Sequence, residues 1–144
     1  VAFRSLATNL VAGDTNGAAD VFVHDRKTGL TTRVSVDSAG IEGNNFSFAP
    51  SVSKTGRFVA FASIAANLVA GDTNGTFDVF AHDRKTGLTT RVSVDSAGSE
   101  GNSDSLVPSV SKTGRFVAFE SGATNLVAGD TNGVDDVFLH DSKP

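Results

Sequence analysis

The sequence lacks cysteine, methionine, tryptophan and tyrosine, so all eleven of its aromatic residues are phenylalanines. Without cysteine, disulfides, thiolate metal sites and cysteine nucleophiles are excluded. Twelve Lys and Arg against sixteen Asp and Glu give a net charge of −4 with no basic block, which argues against a nucleic-acid partner. Apolar runs are too short for a membrane-spanning helix, so no membrane span is predicted.

The 144 residues contain a tandem repeat. The segment Asn-Leu-Val-Ala-Gly-Asp-Thr-Asn-Gly begins at Asn9, Asn67 and Asn125, so the two intervals between its copies are equal. Residues 1–58 and 59–116 are identical at 47 of 58 positions, and residues 117–144 form a partial third copy. Repetition at a fixed period indicates stacked or radially arranged units that bury their faces against one another.

Each repeat contains four short segments that read as strands. In the second copy these are Phe58–Ser63, Asp78–Asp83, Leu88–Val94 and Leu106–Ser111, separated by Gly-containing turns. The pattern predicts an all-β fold of four-stranded antiparallel units in tandem, which is typical of β-propeller blades. We therefore expect one continuous segment of propeller, with repeat 1 at 1–58, repeat 2 at 59–116 and a partial repeat 3 at 117–144.

The segment from Pro50 to Phe61, Pro-Ser-Val-Ser-Lys-Thr-Gly-Arg-Phe-Val-Ala-Phe, resembles the blade signature of TolB-like, WD40-like (PD40) β-propellers. It departs from that signature at Thr55 and Thr113, where the family usually has Asp, and in having no Trp on the first strand. The resemblance implies a propeller scaffold. It leaves the function open.

The strand count predicts about two and a half blades. The chain begins on a second strand and ends on a third, so one blade is complete and two are partial. Because a propeller closes with about four to eight blades, we expect further blades from a longer chain or from homo-oligomer copies. Open blade edges also permit self-assembly into a ring or filament.

The Gly-Asp-Thr-Asn-Gly-x-x-Asp loops are candidate cation sites. Ca²⁺ takes about six to eight hard oxygen ligands, and Asp-x-Asn in a Gly-kinked loop can turn several toward one point. The predicted calcium ligands are Asp14, Asn16, Asp20, Asp72, Asn74, Asp78, Asp130, Asn132 and Asp136. The alternative is a plain turn, because Asp and Asn side chains readily bond to nearby backbone. Clustered aspartates without a counter-charge would repel one another, which favours the cation.

No catalytic residues are predicted. His24, His82 and His140 each precede an Asp, but they recur in one register with no accompanying nucleophile, whereas catalysis needs one asymmetric constellation. Hydrogen-bonded structural histidines are the expected outcome.

The function expected from these features is that of a non-enzymatic, calcium-stabilised β-propeller scaffold that binds a protein or glycan. An extracellular or periplasmic location is expected from the family resemblance and the calcium-type loops alone, since the sequence has no recognisable signal peptide. The alternatives are a self-assembling ring or filament, the non-catalytic propeller of a larger hydrolase, and a lectin-like module. The lectin is disfavoured because there is no Trp or Tyr to form a sugar platform.

Overall fold

The computed structural model describes residues 1–142 and contains only strands, turns and loops over that range. The ten strands are β1 (Ala2–Ser5), β2 (Asp20–His24), β3 (Thr31–Arg33), β4 (Ser47–Val52), β5 (Phe58–Ser63), β6 (Asp78–Asp83), β7 (Thr89–Arg91), β8 (Ser105–Val110), β9 (Phe116–Ser121) and β10 (Asp136–Asp141). The described residues include no helix that could cross a lipid bilayer.

The strands form three antiparallel sheets in chain order. Sheet one contains β1, β2 and β3, sheet two contains β4 to β7, and sheet three contains β8, β9 and β10. Neighbours in sequence are neighbours in space in each sheet, so every sheet is a simple meander. The predicted all-β fold, with one complete four-stranded unit between two partial ones, is confirmed.

The fourth strand of the complete sheet is shorter than the sequence predicts. The expected strand is Leu88–Val94, whereas β7 covers Thr89–Arg91. Beyond Arg91 the ladder is distorted, because the N–H groups of Val92 and Ser93 both point to the carbonyl of Val79, at 2.7 and 3.4 Å. The Ser93 hydroxyl also donates to the buried carboxylate of Asp78. This hydrogen bond keeps Ser93 out of regular backbone pairing with β6.

The first strands of sheets two and three, β4 and β8, each carry a bulge before a proline. Ala49 in β4 and Val107 in β8 both have a φ of +50°, and the pairing with β5 and β9 shifts register there. Pro50 and Pro108 follow directly, and a proline has no N–H to offer the ladder, so an irregular position suits it.

The apolar cores lie between sheets. The first core joins sheet one to sheet two through Val21, Val34, Val59 and Phe61. The second joins sheet two to sheet three through the equivalent positions of the next repeat, Val79, Val92, Val117 and Phe119. Each sheet therefore depends on its neighbour for burial, as the repeat pattern predicts.

The initial strands of successive sheets lie side by side. β1 contacts β4, and β4 contacts β8. The Ser51 hydroxyl of β4 accepts a hydrogen bond from the backbone N–H of Val110 in β8, at 3.0 Å. The turn after β8 also closes on sheet two, since a Cβ built at Gly114 would lie 2.0 Å from the Phe58 ring.

Candidate functional site

The three Asp-Thr-Asn-Gly loops connect β1 to β2, β5 to β6 and β9 to β10, and each lies at one end of its sheet. In the second loop, the Asn74 side-chain oxygen accepts from the N–H of Thr76 at 3.0 Å, and its amide nitrogen donates to Asp78 and to the carbonyl of Gly101. Asn16 makes the same three contacts in the first loop. The asparagine therefore folds its own loop and ties it to the segment leading to the next sheet.

An arginine from the outer strand enters each of the first two loops. At the end of β7, Arg91 Nη1 lies 2.5 Å from Glu100, 3.0 Å from Asp78 and 3.6 Å from Asp72. Its Nη2 donates to the carbonyl of Gly71 at 3.0 Å. We call this group of Asp72, Asp78, Arg91 and Glu100 the second acid–arginine cluster.

The first acid–arginine cluster repeats this geometry with Asp14, Asp20, Arg33 and Glu42. Arg33 Nη1 lies 2.6 Å from Glu42, 3.3 Å from Asp20 and 3.6 Å from Asp14. In both clusters a threonine, Thr15 or Thr73, donates its hydroxyl and its backbone N–H to the glutamate. Two copies of one arrangement in different sheets indicate that the sequence specifies it.

Asp14 and Asp72, the aspartates at the loop starts, are the acids of each cluster whose buried charge is least well balanced by hydrogen bonds and positive charge. Burial raises the pKa of Asp72, the charge of Asp78 raises it further, and Arg91 opposes both. The pKa of Asp14 is raised by the same causes, and its buried Oδ1 has no hydrogen-bond partner within residues 1–142. In contrast, the hydrogen bond from the Thr73 hydroxyl lowers the pKa of Glu100.

The third loop has the same internal fold and a different environment. Asn132 donates to Asp136 at 2.9 Å and accepts from the N–H of Val134 at 3.0 Å. In the part of the chain that the structure describes, no arginine ion pair reaches Asp130 or Asp136.

The donor set can be compared with what a calcium ion needs. Carboxylate oxygens of Asp72, Asp78 and Glu100 lie within 4.8 Å of one another, a spacing that one cation could span. The guanidinium of Arg91, however, already contacts all three. The amide nitrogen of Asn74, and not its oxygen, faces Asp78. This arrangement suits a guanidinium, and the calcium assignment stays a prediction.

In the first two loops the structure brings the predicted aspartates and asparagine together, and it adds basic and acidic partners that were not predicted from the sequence. Arg33 and Glu42 recur at the same positions of the next repeat as Arg91 and Glu100, which is the signal that could have found them. They were missed because they are far from the loop aspartates in sequence, and only strand pairing brings them back to the loop.

The histidine–aspartate pairs are used in structural contacts. His82 Nδ1 lies 2.8 Å from the Thr89 hydroxyl, and burial lowers the pKa of the His82 ring. Asp83 accepts two hydrogen bonds from the Arg57 guanidinium, at 2.8 and 2.6 Å, which hold the pKa of its carboxyl far below the ordinary range. The pair closes the hairpin end of the sheet, opposite the acid–arginine cluster.

Some of the positions that differ between repeats meet at the cluster end of the sheets. Phe77, which aligns with Ala19 and Asp135, packs edge-on against Phe48 with ring centroids 5.2 Å apart. Its backbone N–H donates to the side chain of Asp104 at 2.9 Å. Asp104 aligns with Phe46, which is half exposed at the same end of sheet two. We call Phe46, Phe48, Phe77 and Asp104 the variable rim.

Comparison with known proteins identifies the fold. No family model matches the sequence, and no curated protein is recognisably related to it. A TolB candidate from Agrobacterium tumefaciens superposes with a TM-score of 0.53 at 20% identity, over 88% of this chain and 39% of that one. TolB from Acinetobacter baumannii gives 0.51 at 19% identity, over 91% and 26%. The tricorn protease gives 0.49 at 19% identity, over 88% and 10%.

The chain thus spans well under half the length of the two TolB structures. At these identities the likeness establishes the fold. The three sheets are blades of a β-propeller, and the resemblance to TolB-like propellers inferred from the sequence is confirmed at that level.

Proposed function

We propose that this chain is a section of a non-enzymatic β-propeller scaffold that works outside the cytoplasm. It binds a protein or glycan ligand at the end of the blades that carries the variable rim. The observation that carries the proposal is a difference between two sets of positions. Positions that are identical between repeats make structural contacts, whereas the varied positions of the rim lie together at one end of the blades.

The repeated polar groups are engaged in the same contacts from blade to blade. Arg33 and Arg91 hold their carboxylates, and Arg57 and Arg115 each bind the aspartate that ends the third strand. Four residues at positions that vary, which form the variable rim, are grouped in space at one end. Loops that vary on a constant framework are the usual way in which repeat scaffolds recognise ligands.

The proposal is tested by probing an array of immobilised polysaccharides and extracellular proteins with the labelled chain. Phe46→Ser removes a half-exposed ring from the variable rim, and we expect it to abolish binding. Leu88→Ser is the matched control, because Leu88 is exposed to a similar degree at the opposite, hairpin end. Equal loss in both variants, or binding that survives Phe46→Ser, would contradict the proposed surface.

Whether calcium binds at the first two Asp-Thr-Asn-Gly loops needs a separate test. We infer that Arg33 and Arg91 supply the positive charge that the first two loops require, with calcium binding at these loops as the alternative. The support is the contact of each guanidinium with three carboxylates.

Thermal unfolding by far-UV circular dichroism in calcium and in chelator separates the two possibilities. If arginine is the counter-charge, the midpoint of the wild type is nearly unchanged. In Arg33→Met/Arg91→Met, which leaves both carboxylate groups without a cation, calcium then raises the midpoint. A ligand at one hundred times its dissociation constant contributes about 2.7 kcal/mol. A shift of that size in the wild type would instead establish calcium as a resident ion.

A further inference from the structure

Charge is divided between the two ends of the sheets. Three loops lie at the cluster end, at residues 6–19, 64–77 and 122–135. Four hairpin turns lie at the opposite end, at residues 25–30, 53–57, 83–88 and 111–115. The loops contain four aspartates and no Lys or Arg, whereas the turns contain eight Lys and Arg and two aspartates. The hairpin end is therefore basic, although the whole chain carries a net charge of −4.

The basic turns of different sheets lie beside one another. The backbone N–H of Lys54 in sheet two donates to the carbonyl of Lys112 in sheet three, at 3.2 Å. A hydrogen bond from the Lys27 N–H lowers the pKa of Asp25 in sheet one, and the charge of Arg84 in sheet two lowers it further. The turns therefore form one basic surface that extends across three sheets.

Four exposed lysines lie in these turns, at Lys27, Lys54, Lys85 and Lys112. Within residues 1–142, none of these four ammonium groups forms an ion pair. The aspartates of the turns are already engaged, since Asp83 is bound by Arg57 and Asp25 accepts from the backbone N–H of Lys27. The positive charge of the lysines is thus available to an anionic partner.

An exposed leucine closes two of the basic turns. Leu30 is 65% exposed and Leu88 is 52% exposed. The carbonyl of each leucine accepts the N–H of the aspartate that opens its turn, so the backbone is fixed while the side chain lies in water. Sheet two packs against a sheet on each side, and Leu88 is exposed nonetheless. We call Lys27, Leu30, Lys54, Lys85, Leu88 and Lys112 the basic face.

We propose that the basic face binds to the surface of a lipid bilayer that contains anionic phospholipids. The ammonium groups attract the headgroup phosphates, and the leucines beside them enter the boundary between headgroups and acyl chains. This pairing of cations with apolar side chains favours a bilayer over a soluble polyanion, which would leave the leucines in water. The inference goes beyond the proposed function, because the variable rim lies at the opposite, acidic end.

The test is sedimentation of the wild-type chain with vesicles of equal parts phosphatidylglycerol and phosphatidylcholine, over a series of lipid concentrations. We expect binding that weakens as salt is added, because salt screens the attraction between the lysines and the headgroups. Vesicles of phosphatidylcholine alone carry no net charge, and we expect binding to them to be at least about tenfold weaker.

The contribution of charge is tested with Lys85→Gln. Each cation near an anionic surface strengthens binding about fivefold, so we expect a loss of that size. Arg4→Gln is the matched control, because it removes the same charge from an exposed side chain of β1 near the cluster end. It should bind the anionic vesicles within about twofold of the wild type.

The contribution of the apolar side chains is tested with Leu30→Ser. We expect binding to the anionic vesicles to be at least about fivefold weaker, because less apolar surface leaves water. Leu6→Ser is the matched control, since Leu6 is 62% exposed in a loop at the cluster end, and it should bind like the wild type. Far-UV circular dichroism establishes that each variant is folded.

Three results would overturn the proposal. The first is a wild type that fails to sediment with the anionic vesicles or binds the neutral ones equally well. The second is an equal loss in Lys85→Gln and Arg4→Gln. The third is full binding by Leu30→Ser, which would indicate a basic surface for soluble polyanions. Phe46→Ser should bind vesicles like the wild type, so this proposal and the one for the variable rim fail separately.

Discussion

At the scale of single residues, the most demanding position is the arginine at the end of the outer strand. Arg91 lies among three carboxylates, and the side chain of one of them, Asp78, is fully buried. A carboxylate taken out of water is costly unless it is paired and hydrogen-bonded. Asp78 meets that need with Arg91, Asn74 and Ser93. The cluster thus connects the loop, the outer strand and the segment leading to the next blade.

Replacing Arg91 by Met should destabilise the protein strongly. The methionine keeps much of the apolar stem but leaves Asp78 buried without its cation, so we expect the free energy of unfolding to fall by about 1 to 3 kcal/mol. Urea denaturation followed by far-UV circular dichroism measures the loss. Arg91→Lys should be intermediate, because an ammonium cannot reproduce the forked contacts of a guanidinium.

The control for this prediction is Arg115→Met. Arg115 pairs with Asp141 at 2.7 Å, but both side chains are well exposed, so the pair is screened by water. We expect a much smaller loss than for Arg91→Met. Equal losses would mean that the cluster contributes no more than an ordinary surface ion pair.

At the scale of elements, β4 and β8 are the least regular strands. The bulge places Val107 in β8 at a φ of +50°, a region in which β-branched residues are strained. The side chain is 64% exposed, so little burial offsets that strain. Ala49 has the same φ in β4, which shows that the backbone and not the side chain requires this conformation.

Val107→Gly should therefore stabilise the protein. Glycine adopts positive φ freely, and the strain relieved exceeds the entropy lost on folding by a few tenths to about 1 kcal/mol. Val52→Gly is the control, because Val52 is an exposed valine of β4 with an ordinary φ. It should destabilise by about 0.5 to 1 kcal/mol. A loss of stability in both variants, measured by urea denaturation, would contradict the strain argument.

At the scale of the whole molecule, the position of the cores determines how the chain unfolds. The complete blade contributes Val59 and Phe61 to one core and Val79 and Val92 to the other. Separated from its neighbours, it would expose both apolar faces. Repeat proteins gain much of their stability from such interfaces between neighbours.

A fragment spanning residues 47–94, which holds all four strands of the complete blade, should fail to fold alone. Far-UV circular dichroism should show no cooperative thermal transition for the fragment, in contrast to a single transition for the whole chain. A fragment that melts cooperatively as a monomer would show that each blade has a sufficient core of its own.

Sequence periodicity was enough to determine the blade architecture. The constant interval between copies of one segment implied repeated units, and Phe58–Ser63 and Asp78–Asp83 were predicted with the bounds that β5 and β6 have. These strands were predictable because their signals are local, an apolar run or an alternation bounded by turn residues. The course of the outer strand was not, because its end depends on a bond between Ser93 and the distant Asp78.

The partners of the loop aspartates were decided only by the tertiary structure. The sequence placed Asp72, Asn74 and Asp78 near one another. Because the two aspartates repel each other, a positive charge beside them was expected. Arg91 lies beside them because the antiparallel pairing of β6 with β7 returns the chain to the start of β6. The sequence by itself thus determined the repeat and the blades. The fold determined that an arginine of the same blade lies beside these aspartates, because strand register brings together charges that are far apart along the chain.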